Sequence, residues 1–285
     1  MSFLAYIFDA IFLSVVLILL ILGIPFILGY AVHFISGKLK KRALNVIKES
    51  FYFSVLKWPG TIVHELSHAV AGILFLRQIT EIDLYNRDRP DDTLGYVKFK
   101  FGPANTFQQI GCLLIGSSPI LAGLFLIKFT FEKCFDLPLI PGDATLIAAS
   151  APSLSLLQES LSIALNSLLD TLVMLGNPVN LLNPFFYIFI FCTFILSNSM
   201  ELSEPDIDTL KTGIIPAILF ILALNLAINW IFPLGQFLID NIWIPLFTFY
   251  QLIIITGIIM AINGAVLLLI FSISPIRKSK ATQLN

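Results

Sequence analysis

Apolar residues run along this chain in long blocks, separated by short polar clusters. A membrane-spanning helix needs about 20 mostly apolar residues. Six stretches fit that description: Phe3 to Ser36, Pro59 to Leu76, Phe107 to Ile127, Phe185 to Met200, Ile214 to Ile239 and Ile242 to Ile273. The first carries one charge, Asp9, and the second is apolar apart from a cluster at residues 64–68. A seventh stretch, Ala148 to Leu175, is apolar but holds Gln158, Glu159, Asn166 and Asp170. It reads either as a span inside a bundle or as a helix lying in the interface. The pattern changes character once, over 78–105. There Tyr96-Val-Lys-Phe-Lys-Phe101 alternates apolar and charged residues with a period of two, after a polar turn. That segment predicts a β-hairpin.

Composition agrees with a lipid-embedded chain. Of the 285 residues 57% are hydrophobic and 12% charged, about half the charged share of a soluble domain. A formal net charge of −1 gives no footing for a nucleic-acid partner. Cys112, Cys134 and Cys192 lie in apolar stretches at no metal-ligand spacing, so they read as small buried hydrophobes. The N-terminus lacks a basic n-region and predicts no cleaved signal peptide.

Position of charge sets direction. Lys38, Lys40, Lys41, Arg42 and Lys48 follow the first span, and Arg277, Lys278 and Lys280 follow the last. Both clusters belong on the cytoplasmic side by the positive-inside rule. This requires an odd number of spans, with the N-terminus outside and the C-terminus inside. The expectation is a single all-α polytopic domain over 1–285 with about seven transmembrane helices, set in the cell membrane, with the hairpin as an insertion.

Two of the three histidines, His64 and His68, stand four residues apart with Glu65 between them. On a helix, positions i and i+4 share a face. Two neutral imidazoles so placed can ligate one Zn²⁺ at about 2.0–2.1 Å each. Glu65 sits about 100° around the helix, within reach of a water on the metal. Zinc lowers the pKa of that water, and the glutamate takes its proton during attack on a carbonyl. An ionisable cluster inside an apolar span is costly and functional by default. His33 has no such companions and reads as structural.

A catalytic zinc site has three protein ligands and a water. No other histidine stands in a plausible motif, so the third ligand should be a carboxylate at the depth of the motif. Pro59-Gly60 marks the helix start, so His64 lies one to two turns from the cytoplasmic end. With seven spans the loop 197–208 faces the same side, and it holds Glu201, Glu204, Asp206 and Asp208. Ser203-Glu-Pro-Asp206 looks like a helix start with Ser203 as N-cap, which places Asp206 in the first turn of the sixth span. Asp206 is the first candidate and Asp208 the second. A solvated acidic cap with no metal is the alternative. Asn198 and Ser199 are candidates to orient a substrate backbone.

Pro59-Gly-Thr-Ile-Val-His-Glu-Leu-Ser-His68 within an apolar stretch resembles the site-2 protease clan of intramembrane metalloproteases. A prokaryotic branch of that clan is similar in three further features: a Gly-Tyr-Val segment (Gly95–Val97), a Gly-x-x-Pro turn opening the next span (Gly116–Pro119), and a Ser-Met-x-x-Ser-x-x-Asp run (Ser199–Asp206). The Asn-Pro pair at 183–184 lies more than twenty residues before Asp206, and Ile207 stands where classical members carry glycine. The resemblance implies one Zn²⁺ per chain, with Asp206 as third ligand. It implies proteolysis of membrane proteins near the cytoplasmic face, with an edge strand of 78–105 pairing with unwound substrate. No recognition domain is evident, so size exclusion or an adaptor would set the choice of substrate. The alternatives are a non-proteolytic pseudoprotease or regulator that keeps the metal, and a metal carrier or transporter. The latter commonly shows internal repeats, and none is visible here.

Overall fold

A computed structural model of the chain describes residues 3–23, 51–87, 94–100, 105–135, 175–228 and 252–260, together with scattered positions elsewhere. These are mostly helical, with one two-stranded sheet. Helix α1 (Phe3–Ile18) runs into a π-helical turn, Leu19–Gly23. A second π-helical turn, Tyr52–Lys57, leads directly into α2 (Trp58–Leu74), which carries the histidine motif. Strands β1 (Ile79–Asp83) and β2 (Tyr96–Phe99) follow. Then come the long helix α3 (Thr106–Phe135), the single turn α4 (Pro178–Leu181), α5 (Pro184–Ser199) and α6 (Glu204–Ile228).

Local chemistry sets most of these boundaries. Pro59 opens α2 in its first turn, where its missing N–H costs nothing. At the far end Leu76 takes a left-handed conformation, φ 56°, and Arg77 N–H donates to Gly72 O at 2.8 Å. That six-to-one bond closes the helix as a Schellman cap. Asn177 and Asn183 each cap a helix by accepting from the N–H two residues on, both at 3.0 Å.

The hairpin falls within the expected 78–105 segment. Its strands are antiparallel, pairing Glu81 with Lys98, Ile82 with Val97 and Asp83 with Tyr96, with an irregularity between Ile79 and Glu81. Lys98 Nζ lies 2.8 Å from Glu81 Oε2 across the pair. The sheet packs on α2, with the Phe99 ring pressed on Gly72.

Helix α3 is the hub and packs against α2, α5 and α6. The largest buried cluster includes Ile120, Leu124, Ile127 and Phe131 of α3, Phe189 of α5, and Leu252, Ile255 and Ile259. Phe131 and Phe189 meet edge to face at 5.5 Å. Between α3 and α6 the backbones come close at Gly116, where an added Cβ would lie 2.6 Å from Asp206 O and 2.7 Å from Leu210 N.

Of the seven expected spans, two are helices long and apolar enough to cross a membrane among the described residues, α3 and α6. The expectation of seven is corrected to that extent, for identifiable reasons. α2 and α5 have 17 and 16 residues, just under a full span. α1 gives way to π-helical geometry after Ile18. The stretches 148–175 and 242–273 lie mostly outside the described residues. α6 begins at Glu204 and ends at Ile228, ten residues before the apolar run starts and eleven before it stops. Its first turns are polar because they carry the site, and Ile231 and Phe232 already lie in a turn ahead of Pro233.

Candidate metal centre

Helix α2 is inverted relative to a soluble amphipathic helix. Thr61, Glu65, Ser67 and His68 are buried, whereas Leu66, Val70 and Ile73 are 49%, 51% and 61% exposed. The polar stripe at helical spacing faces α3 and α6, so the motif points into the bundle.

His64 and His68 meet edge to face one turn apart, with ring centroids at 4.8 Å and Nε2 atoms at 3.1 Å. Asp206 closes the group from α6. Its Oδ2 lies 3.2 Å from His64 Nε2 and its Oδ1 3.0 Å from His68 Nε2. The reach is set by a reciprocal cap. Ser203 N–H donates to Asp206 Oδ2 at 2.7 Å, and Asp206 N–H donates to Ser203 Oγ at 3.3 Å. This is a capping box with aspartate in the position usually held by glutamate. It fixes the carboxylate at the start of α6, facing α2.

Helix α3 supplies the outer contacts. His68 Nδ1 lies 2.8 Å from Ile115 O and 3.2 Å from Ser118 Oγ. Ser118 Oγ also donates to Ile115 O at 2.8 Å and meets Ser67 Oγ at 3.2 Å. Ser67 in turn donates to His64 O at 2.6 Å. The two serines knit α2 to α3 behind the histidines.

The donor set can be tested against a cation by its spacing and by its protons. Two ligand atoms at about 2.05 Å from a tetrahedral zinc stand about 3.3 Å apart. The observed separations of 3.0–3.2 Å match that within the contraction expected for atoms held by each other. All three donors can be chosen within 4.8 Å of one another. The proton count is sharper. Ile115 O can only accept, so the hydrogen-bond network assigns the proton of His68 to Nδ1. In the neutral ring Nε2 is then a bare lone pair, and it faces a carboxylate oxygen. That juxtaposition is relieved by an N–H from His64 Nε2, 3.1 Å away, by a second proton on His68, or by a metal cation held between the three groups. The backbone-bonded Nδ1–H with a free Nε2 is the arrangement that metal-ligating histidines adopt.

Glu65 is 7% exposed and lies beside Gly95, which opens β2. An added Cβ at Gly95 would stand 2.7 Å from Glu65 Cγ and 2.8 Å from Leu84 O. Glycine there lets the hairpin close over the glutamate.

Among the acidic candidates the structure brings only Asp206 to the histidines. Asp208, the second candidate, points outward, 74% exposed and bonded to Lys211 at 2.9 Å. Glu201 pairs with Lys57 at 3.3 Å, which ties the start of the motif helix to the loop before α6. Asn198 and Ser199 lie in the last turn of α5, and their side chains are outside the described residues. His33 lies against Tyr30, with ring centroids at 6.1 Å, and takes no part. The three cysteines are free; Cys112 is buried and accepts from the Arg77 guanidinium at 3.2 Å. Gly116–Pro119, read as a turn opening a span, instead lies inside α3. Sequence reasoning did not single out Ser67, Ser118 or the Ile115 carbonyl. The signal for the last was present, because a proline four residues on deprives that carbonyl of its helical partner.

No protein-family model, curated protein or solved structure matches the chain.

Proposed function

We propose that this chain is a multi-pass membrane zinc metallohydrolase of the site-2 protease type, cutting peptide bonds of membrane proteins near the cytoplasmic face. The observation that carries the reading is the convergence of His64, His68 and Asp206 from two helices, with a buried glutamate next to the first histidine. A structural zinc site has four protein ligands, whereas a catalytic one keeps a position open. Two imidazoles and one carboxylate suit zinc among the common divalent ions. The exposed apolar face of α2 and the two long apolar helices support a lipid setting. The basic clusters at 38–48 and 277–280 favour an odd number of spans, with the N-terminus outside and the C-terminus in the cytoplasm.

When bound, zinc makes a water molecule acidic and polarises a carbonyl oxygen. The protein's own part is acid–base work and positioning. Glu65 accepts the proton of the attacking water and returns it to the departing amine nitrogen, so the peptide C–N bond breaks with no net charge left on the protein. Burial under the hairpin keeps bulk water from competing with that transfer. His68 is held by α3 and Asp206 by its cap, so neither ligand needs to reorganise. The lipid bilayer and a membrane-protein substrate are the partners of this reading, with an adaptor as a possible third.

The test uses the full chain purified in detergent. Zinc content is measured by elemental analysis, and cleavage of a transmembrane reporter is compared with that of Glu65→Gln. The variant keeps one zinc per chain and loses cleavage by about 10²–10⁴-fold. Cleavage that survives undiminished removes Glu65 from the chemistry, and a chain without metal overturns the reading as a whole.

A further inference from the structure

Position 119 is a proline inside the long helix α3. Proline has no N–H, so the carbonyl four residues earlier loses its helical partner. That carbonyl belongs to Ile115, the same atom that receives His68 Nδ1 and Ser118 Oγ, both at 2.8 Å. Its two lone pairs are thereby filled by side chains. The surroundings are closed: Ile115, Ser118 and His68 are 3%, 6% and 6% exposed. An unpaired carbonyl in such a place is costly, so the proline creates an acceptor that a side chain must meet.

We infer that Pro119 is a positioning residue for the metal centre, resting on the reading of His64, His68 and Asp206 as metal ligands. By withholding an N–H from Ile115 it reserves that carbonyl for His68. The bond places the ring proton on Nδ1, which leaves Nε2 as the ligating atom and fixes the ring's orientation. Any other residue at 119 offers an N–H aligned with the helix axis and draws the carbonyl back toward it, away from α2. His68 then loses its fixed tautomer. Ser118 serves the same end from the side, since it holds the second lone pair and braces Ser67.

The chain has three histidines, so selective ¹⁵N-histidine labelling gives a spectrum simple enough to assign. In the metal-free wild-type chain, at a pH alkaline enough that His68 carries a single proton, that proton sits on Nδ1. In Pro119→Ala the two tautomers mix, and zinc affinity, measured by chelator competition, falls by about 10–100-fold. Thermal stability is kept or raised, because proline is the poorest interior helix residue. Pro216→Ala, about 15 Å along α6 from Asp206, changes neither the tautomer nor the affinity. Lactic acid at position 119, introduced by nonsense suppression, lacks the N–H as proline does and restores both. This ester variant also decides the matter if Pro119→Ala fails to fold. A folded ester variant without wild-type affinity, or a Pro119→Ala chain with wild-type tautomer and affinity, overturns the inference. A wild-type chain that binds no zinc overturns the metal reading itself, and the tautomer measurement then stands apart from it.

Discussion

The backbone approach beside Asp206 is the one most open to a decisive perturbation. Gly116→Ala adds one methyl group between α3 and α6. Its carbon would lie 2.6 Å from Asp206 O, 2.7 Å from Leu210 N and 2.8 Å from Leu210 Cβ. Two of these neighbours are backbone, so no rotamer change relieves the contact. To reach an ordinary 3.4 Å separation, the start of α6 must retreat by about 0.8 Å, which is several times the ±0.2 Å that a metal–ligand distance tolerates. Asp206 is the residue displaced, and it travels away from both histidines. The expected result is a loss of zinc affinity on the order of 100-fold, with a stability cost of about 1–3 kcal/mol for overpacking. Chelator competition on the purified chain measures the first and thermal unfolding in detergent the second. Gly257→Ala is the control, because an added Cβ there meets nothing within 4 Å. If Gly116→Ala binds zinc as tightly as the wild type, the α3–α6 contact does not set the position of Asp206.

Two further outcomes follow from the same helix start. Asp206→Asn abolishes stoichiometric zinc in elemental analysis while Asp208→Asn leaves it unchanged, since Asp208 faces outward; equal loss in both would remove the geometric distinction between them. Ser203→Ala breaks one half of the reciprocal cap, lowering stability by about 1 kcal/mol. It weakens zinc binding less than Asp206→Asn does, because the Ser203 N–H still reaches the carboxylate. A titration of both variants side by side orders them.

The juxtaposition of His64 and His68 is legible from spacing alone, because i and i+4 fix a shared helix face whatever surrounds them. Asp206 was legible for a different reason. Ser203-Glu-Pro-Asp206 carries the chemistry of a helix start, and a cap fixes direction over a single turn. Its preference over Asp208 needed geometry, since two residues on a helix separate their side chains by about 200°. The span count was harder to read. Hydropathy sees only the apolar part of α6 and misses the polar turns at Glu204–Asp208 that hold the site. Gly116–Pro119 was read as a turn because proline ordinarily breaks a helix. Inside α3 the freed carbonyl is met by His68 and Ser118 instead, a tertiary contact that no local rule contains.

The candidate metal ligands come from α2 and α6, two helices far apart along the chain. During synthesis the two histidines emerge early and Asp206 late. A nascent chain that has reached only Pro205 holds two ligands and no third, and it lacks the helix whose retreat or approach tunes the site. On the proposed function, hydrolytic competence therefore waits until α6 has been inserted. Until then the incomplete bundle is harmless to the unfolded segments beside it, its own included. If the proposed function holds, the order of the helices along the gene acts as a timer, delaying a peptide-cutting centre until its housing is in place.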